Sequence, residues 1–537
     1  MSTPVEQWLP GMDITAERLG AMQQAASLLV TNYGADGSGT ADADPGIQLA
    51  LNAARDLGGA QVVVPPGVFL TGDTLRIYDN TRLTLMAGAE LRRNHAGTML
   101  INGDAGQDFG GYTGHSNIVV EGGLWNMRGT TSGLTASAMC MSFGHCQNIM
   151  VRDVEIRDVS GFHGIEFNST NHGRIQDCRF LGYVDPGGRD FSEAVQFDLA
   201  KSVGVFGGFG PYDHTPCADI AVTGCYFGAS GTAGTTAWPR GIGSHSATIT
   251  KWHNRIRIAN NAFEDLLQFA ISAYVWQDVA ITGNTFNSCG SGVRIRSVIV
   301  SDTEDTKLPD GTQTSASQSQ RNFTVTGNAF RGGGSYDNAI VALGETTGKI
   351  HGVVIVGNVI DGTATQAGIR LQRVERGTVA DNVVTSTGGT GISTEDQNNT
   401  IISGNVVWSP SAHGITMVGS DNSNIVNNHV RDPENSGILV QGGTDIQIRG
   451  NFVDGANTTA SSSYGIRVST SAVAVAITGN KCRPGAAATK AVNGLSIAAG
   501  VTGVHRFGND MRGTWSGAAG GIDDLSTAPQ TVATDIE

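Results

Sequence analysis

The chain has 537 residues, including 75 glycines, and is 39% hydrophobic and only 15% charged. Its hydrophobic fraction excludes a disordered chain, and the lack of a strict Gly-X-Y period excludes collagen. The net charge of −14 argues against nucleic acid and anionic membranes as partners. The seven scattered cysteines have no paired spacing, so we expect no metal site, and nothing else in the sequence calls for a cofactor.

The N-terminal part is predicted to be helical. Residues 1–29 form a segment of their own, without the basic and apolar regions of a signal peptide, and no run in the chain is long enough to span a membrane. A second helix begins with Asp44 as N-cap and Pro45 in its first position, and ends just before Gly58. We expect this helix to cap a large domain that spans residues 30–480.

A turn centred on asparagine recurs along that domain. From Asn382 to Asn451 the asparagines follow one another every 23 residues. A period of this length, with short β-branched strands between Gly/Asn turns, is typical of a solenoid whose coils stack at about 4.8 Å. Asparagine tolerates the left-handed backbone of such turns and can bond to its stacked neighbours, so this row is predicted to be structural. The same place is taken by Cys178, Cys225, Asn261, Asn284, Asn328, Asn358, Asn405, Asn428 and Asn480.

A second strand of the form "GIEF" lies between these turns. Its first apolar residue is Ile165, Val195, Ile242, Ile271 and Val293 in five consecutive coils. Long insertions interrupt these same coils after Asp198, before Ile242 and after Arg296. Insertions that cluster on neighbouring coils usually build the wall of a binding site.

The segment from Val30 to Gly72, with "NYGADGSG" before the helix and "VVVPPGVFL" after it, resembles the opening of the pectate-lyase-like superfamily. The resemblance implies an all-β, right-handed parallel β-helix with an N-terminal helical cap. The superfamily includes lyases, hydrolases, epimerases and phage tailspikes. The segment "WLPGMDITAERLGAMQQAASLLV" resembles the attachment segments of phage tail proteins, which implies a phage tailspike that is a homotrimer.

The strand register predicts which side chains face outward, because alternate residues point to opposite faces. The chemically versatile side chains are concentrated in the five consecutive coils. One outward column contains Asn168, Asp198, His245, Tyr274 and Arg296, and the next contains Glu166, Gln196, Gly243, Ser272 and Arg294. A long face flanked by loops suits an extended polysaccharide, so we predict a polysaccharide depolymerase.

The favoured mechanism is β-elimination on an acidic, uronic-acid-containing polymer. It needs a group that neutralises the carboxylate, a base and an acid. His245 is the predicted base, because it titrates near neutrality, and Tyr274 is the predicted acid. The set resembles that of the histidine/tyrosine polysaccharide lyases. The candidates for the neutralising role are Asn168, Arg240, Lys251, Arg294 and Arg296.

The alternative mechanism is hydrolysis by two carboxylates. Glu166 and Asp198 occupy diagonal positions on adjacent coils, for which about 7–8 Å is expected, within the range of inverting glycosidases. A third reading is a spike that binds glycans without cleaving them. Asp198 can instead cap its loop or pair with Lys201, and His245 can be a satisfied polar residue of the scaffold.

Other residues are predicted to contact the substrate at the edge of the groove. They are Gln196, Arg240, Arg294, Lys251, Trp252, His253, Asp213 and His214. Residues 481–537 are predicted to form a C-terminal cap and tail. The expected location is a phage virion or the extracellular space.

Overall fold

The computed structural model describes residues 27–203, 210–458, 462–469, 471–527, 530–531 and 535–536. Within them the chain winds into a parallel β-helix, which confirms the predicted fold class. Of the predicted attachment segment, residues 1–29, the first 26 lie outside the described residues. No helix in the described part of the chain is both long and apolar enough to cross a membrane.

The N-terminal end of the solenoid is closed by a short 3-10 helix, Val30–Tyr33, and by the α-helix Asp44–Asp56. The buried face of the α-helix contains Ile47 and Leu51. The N-cap residue is Ala43 rather than the predicted Asp44, whose carboxylate instead accepts a hydrogen bond from the backbone N–H of Gly72. Gly58 follows the helix with a φ of 76°, as its predicted position requires.

The strands form two parallel sheets that run along the axis. The first sheet, with 33 described strands, contributes two segments to most coils, and the second, with 16, contributes one. The strands of the second sheet are Ser38–Asp42, Gly67–Thr71, Ala89–Arg93, Leu124–Asn126, Glu155–Ser160, Arg179–Val184, Tyr226–Gly228, Ala262–Glu264, Thr285–Asn287, Ala329–Arg331, Val359–Thr363, Val383–Thr387, Val406–Trp408, His429–Arg431, Phe452–Asp454 and Lys481–Arg483.

The first sheet contains the strands of the predicted site. Its strands are Leu28–Leu29, Gln61–Val64, Leu75–Ile77, Arg82–Leu85, Leu100–Asn102, Ile118–Glu121, Met141–Arg152, Ile165–Gln176, Glu193–Asp198, Ala218–Thr223, Arg240–Gly243, His253–Ala259, Phe269–Tyr274, Trp276–Thr282, Ser291–Arg296, Gln320–Thr326, Ile340–Leu343, Ile350–Val356, Ile369–Gln372, Val374–Glu375, Thr378–Ala380, Ile392–Glu395, Ile401–Ser403, Ile415–Val418, Ser423–Val426, Ile438–Gln441, Thr444–Arg449, Ile466–Ser469, Val473–Thr478, Leu495–Ile497, His505–Phe507, Ile522–Asp524 and Gln530–Thr531.

The asparagine row is a continuous hydrogen-bonded ladder. In each rung the side-chain Nδ2 donates to the Oδ1 of the next asparagine and to a backbone carbonyl of a neighbouring coil, as Asn405 does to Asn428 and Val379 at 2.9 Å. The structural role predicted for this row is therefore confirmed. A second axial row inside the core is a stack of five phenylalanine rings with centroids 4.4–5.1 Å apart: Phe180, Phe227, Phe263, Phe286 and Phe330.

The coils continue past Lys481, where the sequence analysis placed the start of the cap. Strands Leu495–Ile497 and Ile522–Asp524 extend the first sheet, and the ladder reaches Asn509. Asp535 ends the ladder by accepting the backbone N–H of Asn509 at 2.7 Å. The repeat was missed here because its flanking residues no longer have the "GI" form.

Candidate functional site

Two neighbouring strands of the first sheet, Ile165–Gln176 and Glu193–Asp198, form the floor of the site. Glu166 pairs in register with Gln196, and Asn168 pairs with Asp198. The residues between them, including Phe167 and Phe197, are buried in the core. The four polar side chains therefore share the outward face, which is the register that the sequence analysis predicted.

A cavity of ≈ 600 Å³ opens over this floor. Glu166, Gln196 and Asp198 line it together with His245 and Ser246. Further lining residues come from earlier coils and from the loop that precedes Glu193. They include Arg76, Ser142, Phe162, His163 and Arg189.

Glu166 is a buried carboxyl group with few partners. It is 2% exposed, accepts a hydrogen bond from Ser142 Oγ at 2.8 Å and another from Asn168 Nδ2 at 3.2 Å. Burial, followed by the nearby charge of Asp198, raises the pKa of Glu166 to about 7. Glu166 can therefore carry a proton at neutral pH, and Asn168 is its support rather than a direct substrate contact.

Asp198 is fully buried but better hydrogen-bonded. Its carboxylate accepts from the N–H of Leu199 at 2.8 Å and from Gln196 Nε2 at 2.5 Å, and Ser246 Oγ lies within 2.8 Å of both oxygens. Burial raises the pKa of Asp198 to about 6, against the opposing effects of His245 and these donors. No contact with Lys201 is involved, because Lys201 Nζ binds Asp305 Oδ1 at 2.8 Å.

His245 is held by a buried carboxylate. Its Nδ1 lies 2.9 Å from Glu193 Oε2, and Arg240 Nη1 lies 3.2 Å from Glu193 Oε1. Burial alone would lower the pKa of His245, but the charge and hydrogen bond of Glu193 raise it above its usual value. Glu193 therefore favours the protonated imidazole, which weakens the case for His245 as the predicted base.

Gly243 lies close to the side chain of Glu193. A Cβ atom added at Gly243 would lie 3.0 Å from both Glu193 Cγ and Ser272 Cβ, tighter than nine in ten real contacts of a Cβ atom. The space beside Gly243 is therefore occupied by the Glu193 side chain of the preceding coil and by Ser272 of the next. Glu193 was not predicted as a site residue because it has the same parity as the inward-facing Val195.

Tyr274 does not reach the cavity. It is 3% exposed, donates from its hydroxyl to Asp305 Oδ2 at 2.7 Å and packs in an apolar cluster with Val275 and Val298. Burial, followed by the charge of Asp305, raises the pKa of Tyr274 far above its usual value. The predicted general acid is therefore a structural contact of the insert that contains Asp305.

The arginines predicted to neutralise a substrate carboxylate also have other partners. Arg296 pairs with Glu345 and donates to the carbonyl of Leu343. Arg294 donates to Ser272 Oγ at 2.8 Å and stacks on Phe269, and its burial lowers its pKa to about 10. Neither arginine lines the cavity.

The predicted edge residues mainly hold the inserts in place. Trp252 Nε1 donates to the carbonyl of Ser319 at 3.0 Å, and the carbonyl of Lys251 accepts from Gln318. His253 is buried, accepts from the N–H of Cys217, and has its pKa lowered to about 3 by burial.

The insert after Asp198 is tied down in the same way. Asp213 accepts from the N–H groups of Gly111 and Thr215 at 2.7 and 3.0 Å. His214 Nδ1 lies 3.0 Å from Thr248 Oγ1. These contacts give both residues a structural role, and their contact with substrate stays a prediction.

The cavity also contains residues that the sequence analysis did not select. Phe162 and Arg189 come from turns and loops, where strand parity gives no information about direction. Arg76 lies on the strand Leu75–Ile77, outside the five coils of the predicted site. Ser246 follows the end of the strand Arg240–Gly243. Its only sequence signal was its place directly after "GSH" in the most polar of the coils.

Two family models match the chain. One, described as rhamnogalacturonase A/epimerase, pectate lyase-like, matches residues 28–294, which include the cavity. The other, described as periplasmic copper-binding protein (NosD), matches residues 278–472. Within the described residues, no three His, Cys, Asp or Glu side chains converge in a way that could hold a metal ion.

A curated relative is the plasmin and fibronectin-binding protein A of Streptococcus pneumoniae, 26% identical over 306 residues. The alignment covers 51% of this chain and 41% of the relative, so the chain spans less than half the length of the protein it matches.

Solved structures resemble the chain in fold. The S. pneumoniae surface protein and adhesin PfbA has a TM-score of 0.58 at 20% identity, covering 73% of this chain and 99% of its own. The tailspike protein of E. coli bacteriophage HK620, in complex with a pentasaccharide, has a TM-score of 0.58 at 14% identity, covering 85% and 79%. Residues 28–294 thus match a pectate-lyase-like family, and the parallel coils give the chain the parallel β-helix fold of these solved structures.

Proposed function

We propose that this protein is a polysaccharide depolymerase that hydrolyses glycosidic bonds, with Glu166 as general acid and Asp198 as general base. The observation that carries the proposal is the pair of buried carboxyls on the floor of one open cavity. Two titratable groups with different environments and raised pKa values are the usual arrangement for acid and base chemistry near neutral pH.

The strand register favours an inverting reaction. Glu166 is opposite Gln196, and Asp198 follows two residues later on the same face. Diagonal positions of this kind are roughly 7–8 Å apart, which leaves room for a water molecule between the carboxylate and the sugar. Asp198, with its several donors, would remove the proton from that water while Glu166 protonates the leaving oxygen.

This proposal differs from the elimination that the sequence favoured. Elimination would need Tyr274 as acid and His245 as base, but Tyr274 is buried against Asp305, and Glu193 favours the protonated form of His245. We therefore predict that digestion releases new reducing ends without the ultraviolet absorbance of an unsaturated uronate. We also predict that Tyr274→Phe keeps kcat/KM within about fivefold, where loss of a true general acid costs about 10²–10⁴-fold.

Three outcomes distinguish the alternatives. The appearance of the unsaturated chromophore would contradict hydrolysis and restore elimination. Glycan binding without any cleavage, across a panel of bacterial surface polysaccharides, would contradict both and support an adhesin. That third function is considered because the curated relative is named as a binding protein.

We also propose that the substrate is an acidic polysaccharide. Arg189 is held between two rings, with its guanidinium carbon 4.8 Å from the centroids of both Phe162 and Phe191. Its Nε donates to the carbonyl of Gly161, and its terminal nitrogens have no protein partner among the described residues. A rigid guanidinium that lines the cavity suits a carboxylate of the sugar chain.

Removal of this guanidinium should weaken binding more than chemistry. For Arg189→Ala we expect KM for an acidic polymer to rise roughly tenfold with kcat changed less, because charge-assisted hydrogen bonds contribute about 1.5–3 kcal/mol. On the same polymer with its carboxyls reduced to alcohols, the variant and the unchanged protein should be equal. Arg331→Ala, on the exposed face of the second sheet, is the matched control. An equal loss on both polymers would contradict the carboxylate contact.

We propose an extracellular place of action, since the relatives and matched families are described as surface, periplasmic or tailspike proteins. The homotrimer and the attachment to a phage tail remain predictions from the sequence.

A further inference from the structure

Gln196 lies between the two carboxyls and is incompletely hydrogen-bonded. It is 2% exposed and lines the cavity. Its Nε2 donates to Asp198 Oδ2 at 2.5 Å. Its Oε1 is buried and has no hydrogen-bond partner among the described residues. A buried acceptor of this kind calls for a hydrogen-bond donor close by.

The orientation of the amide is fixed by Asp198. An ionised carboxylate can only accept, so Nε2 must face Asp198 and Oε1 must point elsewhere. On the neighbouring strand Glu166 is the residue in direct register with Gln196, on the same outward face and about 4.8 Å away along the axis. A protonated Glu166 has one O–H that can supply the missing donor.

We propose that Gln196 is a positioning residue whose amide links the two carboxyls, with its NH₂ group bound to ionised Asp198 and its carbonyl accepting the proton of Glu166. The inference rests on the proposed function. It explains how one uncharged side chain assigns opposite roles to two carboxyls on adjacent strands. The bond from Glu166 favours its neutral form, and the bond to Asp198 favours its charged form.

Other charged groups face the pair and must stay unchanged in a test. His245 faces both carboxyls, with Glu193 and Arg240 behind it. Asp305 reaches Asp198 from the insert, and its Oδ1 also accepts from the N–H of Ala247, next to Ser246. Arg76, His163 and Arg189 line the rest of the cavity.

The test is Gln196→Leu in the full chain, which keeps the size of the side chain and removes both polar atoms. The protonation of Glu166 is followed by infrared titration of its carboxylic acid carbonyl band, identified by its absence from Glu166→Gln. We expect the midpoint of this titration to fall by roughly one pH unit. Because fewer molecules then have Glu166 protonated and Asp198 ionised, kcat/KM at the optimum should fall about tenfold or more.

The control is Gln441→Leu, the same change at an exposed position of the same sheet, and it should alter neither quantity. An unchanged Glu166 midpoint in Gln196→Leu, with activity lost equally at all pH values, would overturn the inference while leaving the carboxyl pair in place. Full activity of Glu166→Gln would instead overturn the proposed function itself. If Gln196→Leu does not fold, Gln196→Met gives the same readout with a more flexible side chain.

Discussion

Glu166→Gln and Asp198→Asn should each lower kcat/KM on the polysaccharide by about 10²–10⁴-fold, because each removes one of the two proton transfers. Both variants keep the size of the side chain and lose its ability to exchange a proton. Binding of the polymer should be largely retained, since neither change removes a group from the walls of the cavity. Reducing-end release and equilibrium binding, measured on the same samples, separate the two effects.

The pH dependence of the unchanged protein follows from the same pair. Glu166 acts only while protonated, below its pKa of about 7, and Asp198 only while ionised, above its pKa of about 6. The profile of kcat/KM against pH should therefore be a narrow bell with its maximum between these values. The apparent pKa values of its two limbs describe the coupled pair of carboxyls. Glu375→Gln, which removes a surface carboxylate paired with Lys349, is the matched control and should keep activity within about twofold. Full activity of either site variant would remove the carboxyl pair from the mechanism.

The second large effect concerns stability. In the asparagine ladder, Asn428 Oδ1 accepts from both the backbone N–H and the Nδ2 of Asn405. Its own Nδ2 donates to the carbonyl of Ile402 and to Asn451. Asn428→Ala leaves these buried groups without partners, so we expect a loss of roughly 2–5 kcal/mol in the free energy of unfolding.

The control for this change lies on the same coil. Asn424 is half-buried and faces outward, so Asn424→Ala should change stability by no more than about 0.5 kcal/mol. Chemical unfolding followed by circular dichroism compares the free energy of unfolding of each variant with that of the unchanged protein, and the rate of unfolding gives a second comparison. Equal midpoints for the two variants would show that the ladder is not a main source of stability.

The repeat made the fold predictable. The spacing of the asparagines and the "GIEF"-type strands predicted the stacked coils, the inward row and the outward face over most of the domain. It also placed Glu166, Gln196 and Asp198 on one face in the observed register. Alternate residues of a strand point to opposite faces, so the direction of each side chain follows from the local sequence alone.

The misplaced residues lie where strands end or inserts begin. The strand of Ile242 ends at Gly243, so His245 lies beyond it and interrupts the predicted column, which resumes where Tyr274 pairs with Arg296. The Tyr274 hydroxyl donates to Asp305, which lies 31 residues further along the sequence, and no periodicity predicts such a contact. Glu193 packs against Gly243 of the next coil, where a Cβ atom would crowd its side chain. Such contacts are decided by packing between distant segments.

The ladder and the phenylalanine stack lie inside the solenoid, and neither uses an outward side chain. The rise from coil to coil is therefore set independently of what the outer face displays. Outward residues can therefore be substituted without changing the spacing of the coils. A change of glycan specificity would then need only new outward residues and loops on a few coils, while the distance between successive contact positions along a bound chain stays constant.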